Sequence, residues 1–553
     1  LAAGLFAVVA VVLAVICALP SLNDARADFV PSDPPNSPIG IGKGIHPGRV
    51  VWVHDPSATK WDGVTGSWWE DRNLDQQAVD KMLSHALRSL TAQQDDAAAW
   101  DALFRYFNRT HNSGDVGYQA GEKIAIKVNM NQEFRGGDWR PNDGMPSPQM
   151  IHSLLAQLFG NVQVSGTDVT IYDTSRNIGD PIYNRIHGDP DPNYQSVRFV
   201  CNSTNNGRIF PVEAPAGSVH FASASVSPAN NATAYLPTCV TEAKYLINLA
   251  LLRAHDMYGV TVSGKNWFGS IHWRTGSGFL WNGGWSPSPL HNFGLRNNAM
   301  GSYNCLVDLI GHPQLGGKTL LYLVDGLYGA RNEQAPVIRY NSFGTNWTAS
   351  VFASQDAIAI DSVVLDIVRN EPLLTDCTGQ GVDNYLHEAA QAGNPPSGSF
   401  YDPGQTGSRL TSLGVHEHWN NAADKRYSRN LGSGEGIELI PEGGPGGDPD
   451  GDGMNNTTEY QAGTDPMNPN STPFRFNSIT RQGDDILLTW RTQGGTTNRV
   501  QVASGIASGS DSNTFTNLST VVVSRGDYLA STNYLLIGAA TNMPANYYRI
   551  RLN

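Results

Sequence analysis

Residues 122–129 read EKIAIKVN, residues 148–159 read PQMIHSLLAQLF and residues 168–172 read DVTIY. The first and third are short apolar runs, and the middle one spaces Ile151, Leu154, Leu155 and Leu158 as one face of a helix. Strand, helix and strand in that order predict a right-handed crossover between parallel strands. Working outward, residues 49–54 (RVVWVH) form a further strand, and residues 75–89 carry Val79, Met82, Leu83, Ala86 and Leu87 at helical spacing. Residues 100–107 continue that helical character. Strands are expected at 243–249 and at 319–324 (TLLYLV), and a helix at 356–369. Residues 28–440 are therefore expected to fold as an α/β domain, a mainly parallel sheet with flanking helices.

Residues 441–447 (PEGGPGG) read as a flexible linker, and the linker with the loop that follows it occupies 441–472. Beyond it the pattern changes to short β runs at 486–490, 499–502, 520–523, 534–537 and 547–552, divided by Gly, Asn, Ser and Thr. Residues 473–553 are expected to form a small β-sandwich-like domain.

Residues 1–19 are almost wholly apolar, and Pro20, polar residues and Ala25-Arg26-Ala27 follow. That is the apolar region and small-x-small cleavage pattern of a secretory signal over residues 1–27, truncated at its start, with the mature chain beginning near Asp28. An uncleaved membrane anchor is the alternative, and either way the bulk is expected outside the cytoplasm, periplasmic, secreted or at the cell surface. Cleavage would remove Asp24 with Arg26 and leave the net charge of -13 unchanged. So acidic a chain lacks the basic surface that nucleic acid requires. Cys201, Cys239, Cys305 and Cys377 are too widely spaced for a CxxC metal or redox motif. In an oxidising compartment a Cys201–Cys239 disulfide is expected, since it would staple the Ser/Ala/Asn-rich excursion between them. Sequons occur at Asn108 and Asn346.

Asp448, Asp450 and Asp452 alternate, Gly453 sits at the sharp-turn position, and Asn456 and Glu459 complete a twelve-residue span. Calcium takes six to eight oxygens, and this spacing offers four side-chain positions, the Met454 carbonyl and a bidentate Glu459. The whole stretch, DPDGDGMNNTTEYQAGTDP, resembles the thrombospondin type 3-like repeats of bacterial extracellular proteins. That resemblance implies a structural calcium between domains, which Asp465 would join.

In the large domain the polar residues recur at strand ends. Lys127, Asn129, Asp173, His255 and Asp325 all do so, with Lys265 and Asn266 in the stretch GVTVSGKNWFG (259–269). In open parallel sheets the crevice beyond those ends binds ligands. Lys127, His255, Lys265, Asn266 and Asp325 are thus the candidate catalytic set. Lys265 and Asn266 suit an anionic carboxylate or phosphate, and His255 with Asp325 or Asp256 suits acid–base chemistry or a second metal of undetermined identity. Asp356 is expected to cap its helix, leaving Asp361 as the buried candidate. Trp267, Trp273, Trp281 and Trp285 offer flat faces for a saccharide, or simply pack the loop. His416-Glu417-His418 places two imidazoles on one face if extended, but no third zinc ligand is evident. No nucleophile elbow, P-loop or dinucleotide glycine motif occurs in context.

These stretches, with YLINLALLRAH (245–255), Val324-Asp325-Gly326 and residues 354–361 (SQDAIAID), resemble the domain of unknown function numbered 362 over residues 45–432. The resemblance implies a fold and no settled activity. Many relatives carry iron–sulfur cysteine clusters; this sequence lacks such a cluster, so that cofactor is not expected here. Two functions follow. One is an exported calcium-binding protein with a ligand- or metal-binding catalytic crevice. The other is a non-catalytic cell-surface or matrix adhesion protein.

Overall fold

The computed structural model describes residues 33–133, 138–222, 234–255, 258–273, 290, 299–375, 382–443, 476–492, 497–504, 515–518, 522–523, 530–539 and 546–552. The signal-like segment 1–27, the calcium loop 448–459 and Cys377 lie outside the described residues, as do Asp256, Trp281 and Trp285. Among the described residues no helix is long and apolar enough to cross a membrane.

Eight strands form the central sheet: β1 (Arg49–His54), β2 (Ile124–Val128), β3 (Val169–Asp173), β4 (Arg198–Cys201), β5 (Tyr245–His255), β6 (Thr319–Ala330), β7 (Ser350–Ser354) and β8 (Glu438–Gly443). Their order is β8-β1-β7-β6-β5-β2-β3-β4, with the short strand Gly259–Val260 added at the end of β5. From β6 to β4 all neighbours are parallel, as is the β8–β1 pair. β7 runs antiparallel to both β6 and β1. The sheet is therefore mixed, and the expectation of a mainly parallel one holds in part: five of the seven neighbouring pairs in this order are parallel. No local pattern marks β7, because its direction is set by long-range order.

Successive residues alternate between two buried faces, as the strand period of two requires. Val51, Val53, Ile124, Ile126 and Leu249 join one core; Val50, Trp52, Ala125, Leu246 and Ala250 join the other. Helices α1 (Gln76–Thr91), α2 (Asp96–Thr110) and α3 (Pro148–Gln157) cover the first face. Met82, Leu83, Trp100, Phe104, Ile151 and Leu154 are their buried contributions. The second face is covered by α4 (Ser263–Asn266), α5 (Cys305–Gly311), α6 (Ala357–Arg369) and α7 (Asn384–Ala390). Asp75, Asp95 and Asp356 cap α1, α2 and α6 by accepting backbone N–H bonds, the ordinary role of aspartate at a helix start.

β5 and β6 run well past the expected 243–249 and 319–324. The polar residues Asn248, Arg253 and His255 break the apolar run in the sequence but stay inside the strand, all buried. The β5–β6 register slips between Asp325 and Ala330, which face Leu251 and Arg253. A slip of this kind bends the strand and interrupts the ladder locally, and it does so at the carboxyl edge of the parallel segment.

The Cys201–Cys239 disulfide is not formed. Cys201, Cys239 and Cys305 are free and buried. Cys201 packs with the first core and Cys239 with the second, so the sheet lies between them. The sequon asparagine Asn108 is also buried, its amide donating to Tyr245 Oη at 3.0 Å, so no glycan fits there in the folded chain.

Near the C-terminus, strands Phe476–Gln482, Asp485–Thr492 and Ala530–Leu536 make one antiparallel sheet. Thr497–Ser504 pairs with Asn546–Leu552 and two short strands in a second. Leu488, Trp490 and Leu536 from the first sheet and Val500 from the second form one apolar cluster.

Candidate functional site

The carboxyl ends of β2, β3, β5 and β6 lie along one edge because those strands are parallel. Lys127 and Asp173, from adjacent strands, meet there. Lys127 Nζ lies 3.0 Å from Asp173 Oδ2, donates to the Val128 carbonyl at 2.6 Å and to Asn266 Oδ1 at 3.1 Å. Asn266 in turn donates to Asn248 Oδ1 at 2.8 Å and to the Leu249 carbonyl at 3.2 Å. Every hydrogen of Lys127 has a partner. Gly269 lies over the pair so closely that a Cβ there would come within 2.6 Å of both Lys127 Nζ and Asp173 Oδ1. Lys127, Asp173 and Asn266 thus form a sealed brace that fixes α4 to the sheet, with no face left for a ligand.

Asp325 is likewise committed. Its Oδ2 accepts the Ser147 amide at 2.7 Å and its Oδ1 the Leu327 amide at 3.1 Å, so it holds the start of α3. Burial pushes its carboxyl up, and the Ser147 and Leu327 bonds oppose that. His255 does not reach Asp325; its carboxylate neighbour is Glu333, Oε2 lying 3.6 Å from Nδ1, both side chains buried. Glu333 lies in the loop after β6 and carries no sequence signal.

Lys265 stands apart from this brace. It is 7% exposed, and its ammonium lies 3.8 Å from the centroid of the Phe268 ring and 4.7 Å from that of Tyr258. Among the described residues it makes no hydrogen bond. Burial lowers its pKa to about 7, with the charge of Glu333 acting in the other direction. The Tyr258 ring is also 5.1 Å from that of His255, so both side chains border one space. Arg253, fully buried on β5, donates from Nη1 to the Gly144 carbonyl at 3.0 Å and from Nη2 to Asn129 Oδ1. Arg176, from the turn after β3, donates to the carbonyls of Asn131 and Ser175.

Asp361 of α6 orients Lys265. Its two oxygens accept the Ser263 and Gly264 amides at 2.9 and 3.0 Å, and Tyr385 donates to Oδ2 at 3.1 Å. A carboxylate at the start of α4 suits the unpaired amides there. Asp356, as expected, caps α6. Trp267 is fully buried and packs in the core, so it presents no stacking face.

Of the five candidates, Lys265 and His255 border the crevice, with Glu333, Arg253 and Arg176 added to them. Lys127, Asn266 and Asp325 are its framework. Arg253 is visible in the stretch 245–255, where an arginine two residues before the strand end is anomalous in a buried run. Arg176 and Glu333 lie in loops, and only tertiary structure brings them in.

Fold and site together define a three-layer α/β protein in which Lys265, Arg253 and Arg176 gather close to Glu333 near the carboxyl ends of the parallel strands. Residues 124–366 match the family model described as Domain of unknown function (DUF362), which supports placing the large domain with that family. The matched span runs from β2 into α6 and contains all five candidates. No curated protein and no solved structure matches the chain.

Proposed function

We propose that the crevice binds a small anionic ligand, a carboxylate or a phosphate, with Lys265 as its principal contact. The carrying observation is a buried ammonium with no hydrogen-bond acceptor among the described residues. An anion entering beside the Phe268 and Tyr258 rings would give this ammonium the acceptor it lacks among the described residues. An anion in van der Waals contact would restore the charged form. His255 and Glu333 then stand within one residue's width as a proton-transfer pair, which is the arrangement a catalytic crevice needs.

Malonate, doubly ionised from pH 7 upward, is a suitable probe by isothermal titration. Lys265 in the free protein is half protonated near pH 7 and about 1% protonated at pH 9. Affinity should therefore fall about fifty-fold between those pH values. Lys265→Met should bind weakly and without that slope. An equal affinity at both pH values in the wild type would sink the reading.

The protein is further proposed to be exported, with a structural calcium ion between its large domain and a C-terminal β-sandwich. The register of Asp448, Asp450, Asp452, Met454, Asn456 and Glu459, together with the resemblance of residues 448–466 to thrombospondin type 3-like repeats, supports this. Asp450→Ala should increase proteolysis near Gly447 while the large domain stays folded. Cleavage that does not change with chelator in the wild type would count against it. The C-terminal antiparallel sheets favour a second reading, a non-catalytic surface or matrix protein in which the large domain is a scaffold. Under it a saccharide or protein surface is the partner, and malonate would not bind.

A further inference from the structure

Outside the matched span, a second cluster lies under the opposite flank of α6. α7 begins at Asp383, with His387 one turn on, and the extended segment that follows Gly414 carries His416 and His418. Residues two apart on an extended chain face the same side. The rings of His387 and His416 are 4.8 Å apart, and those of His416 and His418 4.9 Å. Ligand atoms of Asp383, His416 and His418 all lie within 4.8 Å of one another, and those of Asp33, His387 and His416 do the same. His416 belongs to both sets. Asp383, His416 and His418 are no more than 2% exposed.

The outer nitrogens fix which atoms face inward. His416 Nδ1 is 2.8 Å from Ser362 Oγ, and that hydroxyl already donates to the Ile358 carbonyl at 2.7 Å. Ser362 must then accept from His416 Nδ1–H, which leaves Nε2 with its lone pair free. His418 Nδ1 is 2.6 Å from Asp366 Oδ1, and Asp366 Oδ2 also accepts Tyr427 Oη at 2.9 Å and the Trp419 amide at 3.1 Å. Arg369 Nη1 donates to Asp383 Oδ2 at 3.0 Å. Ser362, Asp366 and Arg369 follow a four-then-three spacing, so one face of α6 supplies the outer partners of His416, His418 and Asp383. Carboxylate and hydroxyl partners behind the imidazoles are how metal-binding histidines are oriented.

The inward atoms are left over. His416 Nε2, His418 Nε2, His387 Nε2 and Asp383 Oδ1 are buried without a hydrogen bond. Asp33 Oδ2 is 2.6 Å from His387 Nε2, and Asp383 Oδ2 is 3.3 Å from His418 Nε2, but neither contact is aligned as a hydrogen bond. One orphaned atom in a core is unusual; four on residues grouped in two sets that share His416 are better explained by a shared partner.

We propose that His387, His416, His418 and Asp383 bind one divalent transition-metal ion of the zinc class, centred on His416, with Asp33 as an outer carboxylate. Three imidazoles and a carboxylate are a donor set that zinc accepts and calcium does not. The enclosure points to a structural role: the ion would tie α7 and the 415–418 segment to α6 and to the chain's lead-in at Asp33. The rival occupant is a proton on His418, shared between Asp366 and Asp383.

The full chain, stripped with chelator and dialysed, is titrated with zinc alone, and then with cobalt(II) as a spectroscopic reporter. The expected result is one equivalent of zinc, a raised melting temperature, and a visible cobalt band of low-symmetry four- or five-coordinate type. His416→Ala should abolish the cobalt band, and Asp366→Asn should weaken zinc binding about 10–100-fold while keeping the band. Lys265→Met, in the other site, should bind zinc as the wild type does. The wild type needs no folding control: failure to take up zinc, or uptake with no cobalt band, overturns the proposal and leaves the proton. Uptake that His416→Ala does not change overturns it as well.

Discussion

Lys265→Met is expected to make the protein more stable at neutral pH. Lys265 titrates at about 7 in the folded chain, against 10.5 when exposed, because burial disfavours the ammonium. Between those two values the unfolded state holds a proton that the folded state has released. Stability of the wild type therefore rises with pH across that window, by about 1.4 kcal/mol per unit for this one group. Below pH 7 both states are protonated and the cost is complete, on the order of 4–5 kcal/mol. Methionine carries no such cost, and its thioether suits the Phe268 and Tyr258 rings that now face the ammonium. Urea unfolding at pH 6, 7, 8, 9 and 10 should show the variant ahead by several kcal/mol at the acid end and level by pH 10. Parallel curves for the two proteins would mean that the ammonium is satisfied after all. A stabilising substitution at a buried charged residue is the mark of a residue kept for function and not for folding.

Asp356→Ala should act in the opposite direction and as strongly. One oxygen of Asp356 accepts the Ile358 and Ala359 amides at 3.0 and 2.9 Å. The other accepts the Lys43 and Val415 amides at 2.8 and 3.2 Å. The residue is fully buried. It therefore ties three segments together: the lead-in, the start of α6 and the strand that carries His416. Gly414 is glycine for the same reason, since a Cβ there would meet Asp356 Oδ1. An ordinary surface cap is worth about 1 kcal/mol. Here three buried amides and the half-buried one of Lys43 lose their acceptor, the buried ones at about 1–3 kcal/mol each before relaxation. A loss of about 4 kcal/mol or more is expected, a large share of a typical domain's stability. Asn in place of Asp should recover little, because its amide nitrogen faces two N–H donors. Asp75→Ala at the start of α1, whose cap is partly exposed, is the control and should cost about 1 kcal/mol. Equal losses for the two variants would show that Asp356 is only a cap.

The alternation of strand and helix through residues 122–172 and the cap at Asp356 were legible because they are written in local periodicity and in residues adjacent in the chain. The extents of β5 and β6 were not. Asn248, Arg253 and His255 are polar, and their burial depends on partners from other segments: Ser263 for Asn248, Gly144 and Asn129 for Arg253, Glu333 for His255. Polar residues at strand ends do collect along one edge, since parallel strands bring their carboxyl ends together. Which of them line it and which brace it was decided by contacts such as Gly269 on Lys127, between residues far apart in sequence. The disulfide expectation failed for the same reason: spacing along the chain does not say which face of a sheet a cysteine occupies.

By itself, then, the sequence determined the α/β class of the large domain, the cap at Asp356 and the edge at which polar groups collect. Each is a matter of period or of neighbours within a few residues. Tertiary structure alone decided the antiparallel β7, the isolation of Lys265 and the meeting of His387, His416, His418 and Asp383. Those depend on strand order and on helix faces packing together, which no local pattern encodes.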